Sequence, residues 1–151
     1  MRIVLLLALL LAPTVTSSSE FQQTVWLQQK IAKFFVNKQV ADPYNRAAVI
    51  VSCSQYPVVA AAQAVIESQV KPAAVGRHHE RGCYQVRERY WGKVSPRFDR
   101  QTQQHSVILT ALLEENNHQL KRALRRYNGS GLRAVRYERR VARAIAEILE
   151  V

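Results

Sequence analysis

The chain has 151 residues and carries 22 Lys and Arg against 11 Asp and Glu, a net charge of +11. That length suits one domain on the prior of ~100–200 residues each, and only five Gly and five Pro exclude a long linker. No internal repeat is evident, and the basic excess argues for a polyanionic partner.

In chain order, residues 1–19 read as an address label. Met1-Arg2 supplies a positive charge, residues 3–11 are an unbroken apolar run, Pro13 breaks it, and residues 14–19 are mostly small. This is the three-region pattern of a secretory signal peptide. The run is shorter than the ~20 apolar residues that span a bilayer. An uncleaved N-terminal anchor is the alternative, and no Cys lies nearby to carry a lipid. Cleavage would leave residues 20–151 as a single domain with 21 Lys and Arg against 11 Asp and Glu, or +10. That is long enough to bury a real core. Outside the cytoplasm the nearer polyanions are the cell wall and anionic lipid head groups. The expected location is therefore periplasmic or extracellular, with no transmembrane anchor after cleavage.

Helical spacing dominates the remainder of the chain. Phe21, Val25, Ile31, Phe34 and Phe35 suggest an amphipathic helix, widened by Trp26 and Leu27. Asp42-Pro43 reads as an N-cap with Pro at the first helical position, opening a helix to about Ser54. Pro57 starts another, Ala- and Val-rich and buried on most sides, ending at Ser68. Residues 69–92 hold Pro72, Gly76, Gly82 and Gly92 among polar and aromatic residues. They predict an irregular lobe with short strands near Val75 and at residues 83–86. Helices resume at Ser106, with Leu109, Leu112, Leu113, Leu120, Ala123 and Leu124 on one face. Asn128-Gly129-Ser130-Gly131 is a stop. Val141, Ile145, Ile148 and Leu149 line the core face of a last helix, with Arg136, Arg140 and Arg143 on a different, solvated face. The fold class is mainly α, α+β at most. In an exported protein the even pair Cys53 and Cys83 can form a disulfide; two small buried thiols are the alternative.

Glu67 closes the apolar stretch of the third helix. Desolvation there raises a carboxyl pKa, and a carboxyl raised to ~6 can act as a general acid and then as a base. A solvent-facing helix-end Glu is the bland alternative. Downstream come Lys71-Pro72-Ala73-Ala74-Val75-Gly76, then Gly82-Cys83-Tyr84-Gln85-Val86, then Tyr127-Asn128-Gly129 and Tyr137. In this order the motifs resemble the lytic transglycosylase family of the lysozyme superfold, over roughly residues 60–142. In that family an E-S pair ends a buried helix and is followed by an NP-x-A-x-S stretch, G-L-M-Q, A-Y-N-x-G and a late Tyr.

The resemblance implies a lysozyme-like helical domain that needs no cofactor or metal. It makes Glu67 the single catalytic acid and base. Ser68 is its motif partner in the substrate-binding set, with a local hydrogen-bonding role. Gln85 would line the sugar cleft, Tyr127 would bring its hydroxyl near the catalytic carboxyl, and Tyr137 would help close the cleft. The sequence departs from the pattern at Gly76, where the family has a substrate-contacting Ser. It departs also at Cys83-Tyr84 before Gln85, in the missing Pro after the second motif, and at Arg126 before Tyr127. These mark a divergent member, of the kind a phage or conjugation system carries.

The implied reaction cleaves the β-1,4 bond between N-acetylmuramic acid and N-acetylglucosamine of peptidoglycan, leaving 1,6-anhydro ends. Glu80, Glu88 and Asp99 are unplaced acids, so hydrolysis of the same bond by a goose-type lysozyme-like mechanism stays open. The alternative of another class is a basic, catalytically inactive cell-wall-binding protein. The expected partners are peptidoglycan strands, and beyond them anionic envelope polymers or a secretion, conjugation or phage apparatus. Nucleic acid is not expected, because an export signal would be out of place on a nucleic-acid binder. His78-His79-Glu80 does not read as a metal site, since adjacent residues rarely converge on one ion.

Overall fold

The computed structural model describes residues 4–150, with side chains from Ser18 onward. The export segment expected at 1–19 lies outside the described residues, except for a helical backbone from Val4 and the side chains of Ser18 and Ser19. Among the described residues the protein is mainly α, with helices α1 (Val4–Asn37), α2 (Pro43–Cys53), α3 (Pro57–Ser68), α4 (Glu88–Trp91), α5 (Phe98–Glu115), α6 (Leu120–Asn128) and α7 (Gly131–Glu150). No described helix is long and apolar enough to cross a membrane.

α3 is the centre of the packing. Its Ala60, Ala61, Ala62 and Ala64 have no exposed surface, and α1, α2, α5 and α7 all pack on it. Such small side chains let neighbouring helices approach closely at interior packing density. The α7 stripe Ala134, Tyr137, Glu138, Val141, Ala144 and Ile148 is buried, the spacing of a core-facing helix. Within α1 the core contribution is narrower than its sequence suggests. Ile31, Phe34 and Phe35 are buried, whereas Phe21 and Trp26 are exposed. Pro43 and Pro57 open α2 and α3 as expected. Asp42 caps nothing, however: its backbone is left-handed and its carboxylate accepts from Asn45 Nδ2 at 3.0 Å.

Three expectations are corrected. The lobe carries no strands, only isolated antiparallel bridges of Arg81 with Val75 and Val86. The chain reverses within five residues on either side of Arg81, so no ladder can extend. α5 begins at Phe98, not Ser106, and Leu109 and Leu124 sit on different helices. Asn117 and His118 adopt positive φ and end the α5 run. The candidate disulfide is absent: Cys53 and Cys83 are free thiols. Cys83 is enclosed at the base of the lobe, whereas Cys53 ends α2, its Sγ 3.6 Å from Ser52 Oγ. Cys53 faces a surface groove with Gln55, Ser106 and Val107.

The lobe is pinned to α5 by Gln101, which is 2% exposed. Its Oε1 accepts from Cys83 N at 2.8 Å, and its Nε2 donates to Pro72 O at 2.9 Å and Ser95 O at 2.7 Å. Tyr84 stacks on His105 of α5 at 4.2 Å between centroids.

Glu138, buried in α7, is held by Arg125 of α6 at 3.1 Å. Arg125→Ala leaves that carboxylate unpaired, and the expected loss in urea unfolding is about 2 kcal/mol. Arg125→Met with Glu138→Met together should recover most of it, because removing both partners leaves no orphaned charge.

Candidate active site

Glu67 and Ser68 form the last turn of α3. The chain leaves that turn through two left-handed residues, Gln69 at φ 53° and Val70 at φ 60°. A β-branched residue there is strained. The turn is held from three directions. Ser68 Oγ donates to Cys83 O at 2.9 Å and accepts from Lys71 N at 2.9 Å. Arg46 Nη1 donates to Val70 O at 2.6 Å. Ser68 is therefore a tie between helix and lobe and does not line the cleft, correcting its place in the substrate-binding set.

The turn delivers Glu67 to a cleft of about 630 Å³. The lobe supplies one wall with Gly76, Glu80 and Gln85, α5 and the α6–α7 corner supply the other with Ile108, Tyr127 and Asn128, and Tyr90 and Trp91 stand at the lip. Burial dominates the electrostatics of Glu67. It raises the carboxyl from 4.5 to about 7, against the lowering effects of a hydrogen bond from Tyr137 and the charge of Arg140, with Glu80 adding to the rise. The partial negative charge at the C-terminus of α3 acts in the raising direction.

Behind Glu67 runs a buried chain of polar groups. Gln63 Nε2 donates to Tyr137 OH at 2.7 Å, and Gln63 Oε1 meets His105 Nε2 at 2.9 Å. With its amide nitrogen used on Tyr137, the Gln63 oxygen must accept, so His105 carries its proton on Nε2. His105 Nδ1 is correspondingly left without a partner. Burial lowers the His105 pKa to about 3, keeping the ring neutral. Every donor then points one way: His105 to Gln63, Gln63 to Tyr137, Tyr137 to Glu67. Tyr137, whose hydroxyl accepts from Gln63, keeps its own proton to donate toward the Glu67 carboxyl, an interaction that lowers that carboxyl's pKa.

Tyr127 and Tyr137 both lie close enough to Glu67 to feel its charge. Tyr127 lines the cleft, but its hydroxyl donates to Tyr84 O at 2.7 Å instead of meeting the carboxyl. Tyr137 is only 4% exposed and is the one bonded to Glu67. The two rings are parallel, 6.3 Å apart. Burial, and after it the Glu67 charge, pushes both phenols well above the ordinary range, so both stay protonated donors.

Gln85 lines the cleft with its Nε2 donating to Gly82 O at 2.9 Å. Its side-chain oxygen explains Gly76. A Cβ at position 76 would run into Gln85 Oε1 and Glu80 Oε2. A side chain at position 76 would require the ends of Gln85 and Glu80 to move aside, so Gly76 leaves room for both at the cleft wall. Glu80 is partly desolvated, which raises its pKa. That is outweighed by its own and the His78 backbone N–H groups and by Arg87, so it lies below the ordinary carboxylate value. Arg87 Nε approaches it at 3.3 Å. Two carboxyls on one cleft, pushed in opposite directions, are the pattern of a divided acid and base. Glu88 instead accepts from Val94 N, and Asp99 pairs with Arg97.

Sequence reasoning missed Gln63 and His105; Gln63, a polar residue inside the apolar run of α3, carried a signal, whereas His105 lies in a polar stretch and carried none. It also missed Tyr90 and Trp91, 64% and 36% exposed at the lip. Their exposure was not legible in a lobe without periodicity. Among the described residues, no group of three or more His, Cys, Asp or Glu is gathered to hold a metal. The chain matches no family model, no curated protein and no solved structure.

Because the folded Glu67 binds its proton more tightly than the unfolded one, stability is fullest below pH 4.5 and declines as pH rises to about 7. The decline attributable to Glu67 is about 3 kcal/mol. Glu67→Gln should remove that slope in denaturation curves between pH 4 and 8. Tyr137→Phe, which deletes the strongest lowering influence, should move the Glu67 titration above about 7 in carboxyl NMR.

Proposed function

We propose that this protein is an exported enzyme that cuts peptidoglycan glycan strands as a lytic transglycosylase. The observation that carries the reading is Glu67 itself, a carboxyl near pKa 7 on a cleft, backed by a one-directional donor chain through Tyr137. At neutral pH both of its protonation states are populated, which suits a group that must give a proton and then take one.

Glu67 protonates the glycosidic oxygen as the bond from the muramic acid anomeric carbon breaks. The 6-hydroxyl of the same sugar attacks that carbon and returns its proton to Glu67. One C–O bond is broken and one formed, no water is consumed, and Glu67 is restored. The Tyr137 hydrogen bond favours the carboxylate formed midway. Gln85 and Tyr127 line the strand's path, while Tyr90 and Trp91 offer broad amphipathic rings for sugar faces. The signal-like N-terminus supports a periplasmic or extracellular location, and the basic surface supports adhesion to the anionic envelope.

Glu80 favours a second reading. An ionised carboxylate on the same wall can take a proton from water, giving hydrolysis in the goose-type lysozyme-like manner. A wall-binding protein without activity is the remaining alternative.

Mass analysis of muropeptides released from purified peptidoglycan separates the three. Anhydro ends are the expected product; reducing ends identify hydrolysis, and no release identifies binding alone. Glu67→Gln should lower release at least 100-fold while remaining folded. Glu80→Gln should leave anhydro product formation within a few-fold of normal, and abolition of release by that variant would overturn the transglycosylase reading in favour of hydrolysis.

A further inference from the structure

Four arginines line the Glu67 cleft: Arg77 and Arg87 from the lobe, Arg126 from the last turn of α6 and Arg133 from the first turn of α7. Arg87 is engaged by Glu80. Arg77, Arg126 and Arg133 make no ion pair or hydrogen bond among the described residues. Glu115 is the other acid at the rim. The cations come from the lobe and from the α6–α7 corner, so distant segments contribute positive charge to one cleft. Cations held in this way repel each other, and an anion placed between them relieves the repulsion. A cleft with low-dielectric walls also focuses their field toward its interior. A guanidinium presents a planar fork that fits a carboxylate with two parallel hydrogen bonds. A neutral glycan would gain hydrogen bonds from these groups but no relief of their mutual repulsion.

We propose that the cleft selects glycan strands carrying carboxylates, gripped by Arg126 and Arg133 on one wall and Arg77 on the other. The inference rests on the glycan-cleavage reading for its ligand class and adds to it a charge requirement. In peptidoglycan the lactyl carboxyl of muramic acid is amide-linked to the stem wherever a stem is present, so the strand's carboxylates are those of the stem, or the freed lactyl group where the stem is missing. Both present the same group at the edge of the strand. Arg126 stands where the resembled family keeps a small residue, so the proposed grip belongs to this chain.

The test measures binding of fluorescent soluble glycan strands to the full chain bearing Glu67→Gln, which prevents turnover. One strand preparation is intact. A second has its carboxylates converted to neutral methylamides with carbodiimide. A third has its stems removed by an amidase, which frees the lactyl carboxylate. Neutralisation should weaken binding about tenfold. Adding Arg126→Gln and Arg133→Gln should erase most of the difference between intact and neutralised strands. Adding instead Arg139→Gln and Arg143→Gln removes the same charge from exposed positions of α7 outside the cleft, and should keep the difference. Equal binding of intact and neutralised strands would overturn the proposal. So would an equal loss in the two double variants, which would mean long-range attraction by net charge alone. If stripped strands, whose lactyl carboxylates the amidase has freed, bind like intact ones, a carboxylate of either origin satisfies the grip; if they bind like neutralised ones, the grip requires the stem. Cleavage by the unaltered chain is scored separately. Release of muropeptides without a charge preference defeats the grip alone, and a charge preference without release defeats only the catalytic reading.

Discussion

The withdrawal of one carboxyl from water at the end of α3 is the constraint around which the site is arranged. A helix of small residues lies at the centre of the packing and can be approached from every side. Its terminus therefore emerges from the interior and not from an edge. Glu67 inherits that enclosure, and burial lifts its pKa to about 7. The chain must then leave a crowded place abruptly. It does so through left-handed Gln69 and Val70, a conformation costing of order 1–3 kcal/mol at each residue. Ser68 and Arg46 fix that exit, and the same bonds locate the lobe that forms the opposite wall. Enclosure of the acid, strain in the turn and placement of the lobe are one piece of structure.

A second layer tunes the acid. The chain from His105 through Gln63 to Tyr137 is buried and points its donors at Glu67. Polar networks of this kind are stabilising when satisfied and costly when incomplete. Here the one unpartnered atom is His105 Nδ1, at the far end from the carboxyl. The network thus offsets part of the burial effect and keeps Glu67 near neutrality, where an enclosed carboxyl without a partner would sit higher. Around this centre the cleft gathers cationic and aromatic side chains.

Gly76 and Arg126 act on one cleft. Gly76 has no side chain, and Gln85 and Glu80 occupy the space one would have filled. Arg126 brings a cation to the same cleft. The two tyrosines show the limit of carrying a role by motif alone. Tyr127 reaches the backbone of Tyr84 and Tyr137 reaches Glu67, because α7 packs directly on α3 and places its buried stripe behind the acid.

Periodicity and helix punctuation made the mainly α class legible in the residues. Pro43, Pro57 and the Asn128–Gly131 stop mark boundaries through local backbone chemistry, which neighbours in space do not alter. The helix-terminal position of Glu67 was equally local. The presence of an irregular lobe was legible in its Pro, Gly and polar residues, but its shape was not, since that comes from Gln101 and Ser68 binding backbone atoms far along the chain. Nor was the fate of the cysteines, because a pairing depends on where two helices and a loop deliver their side chains. The direction of the Tyr137 hydroxyl, the room left by Gly76 and the meeting of four arginines likewise arise only when distant segments share one cleft. Residue order sets which groups exist and which helices carry them; their mutual distances, and hence their protonation and use, are properties of the packed molecule.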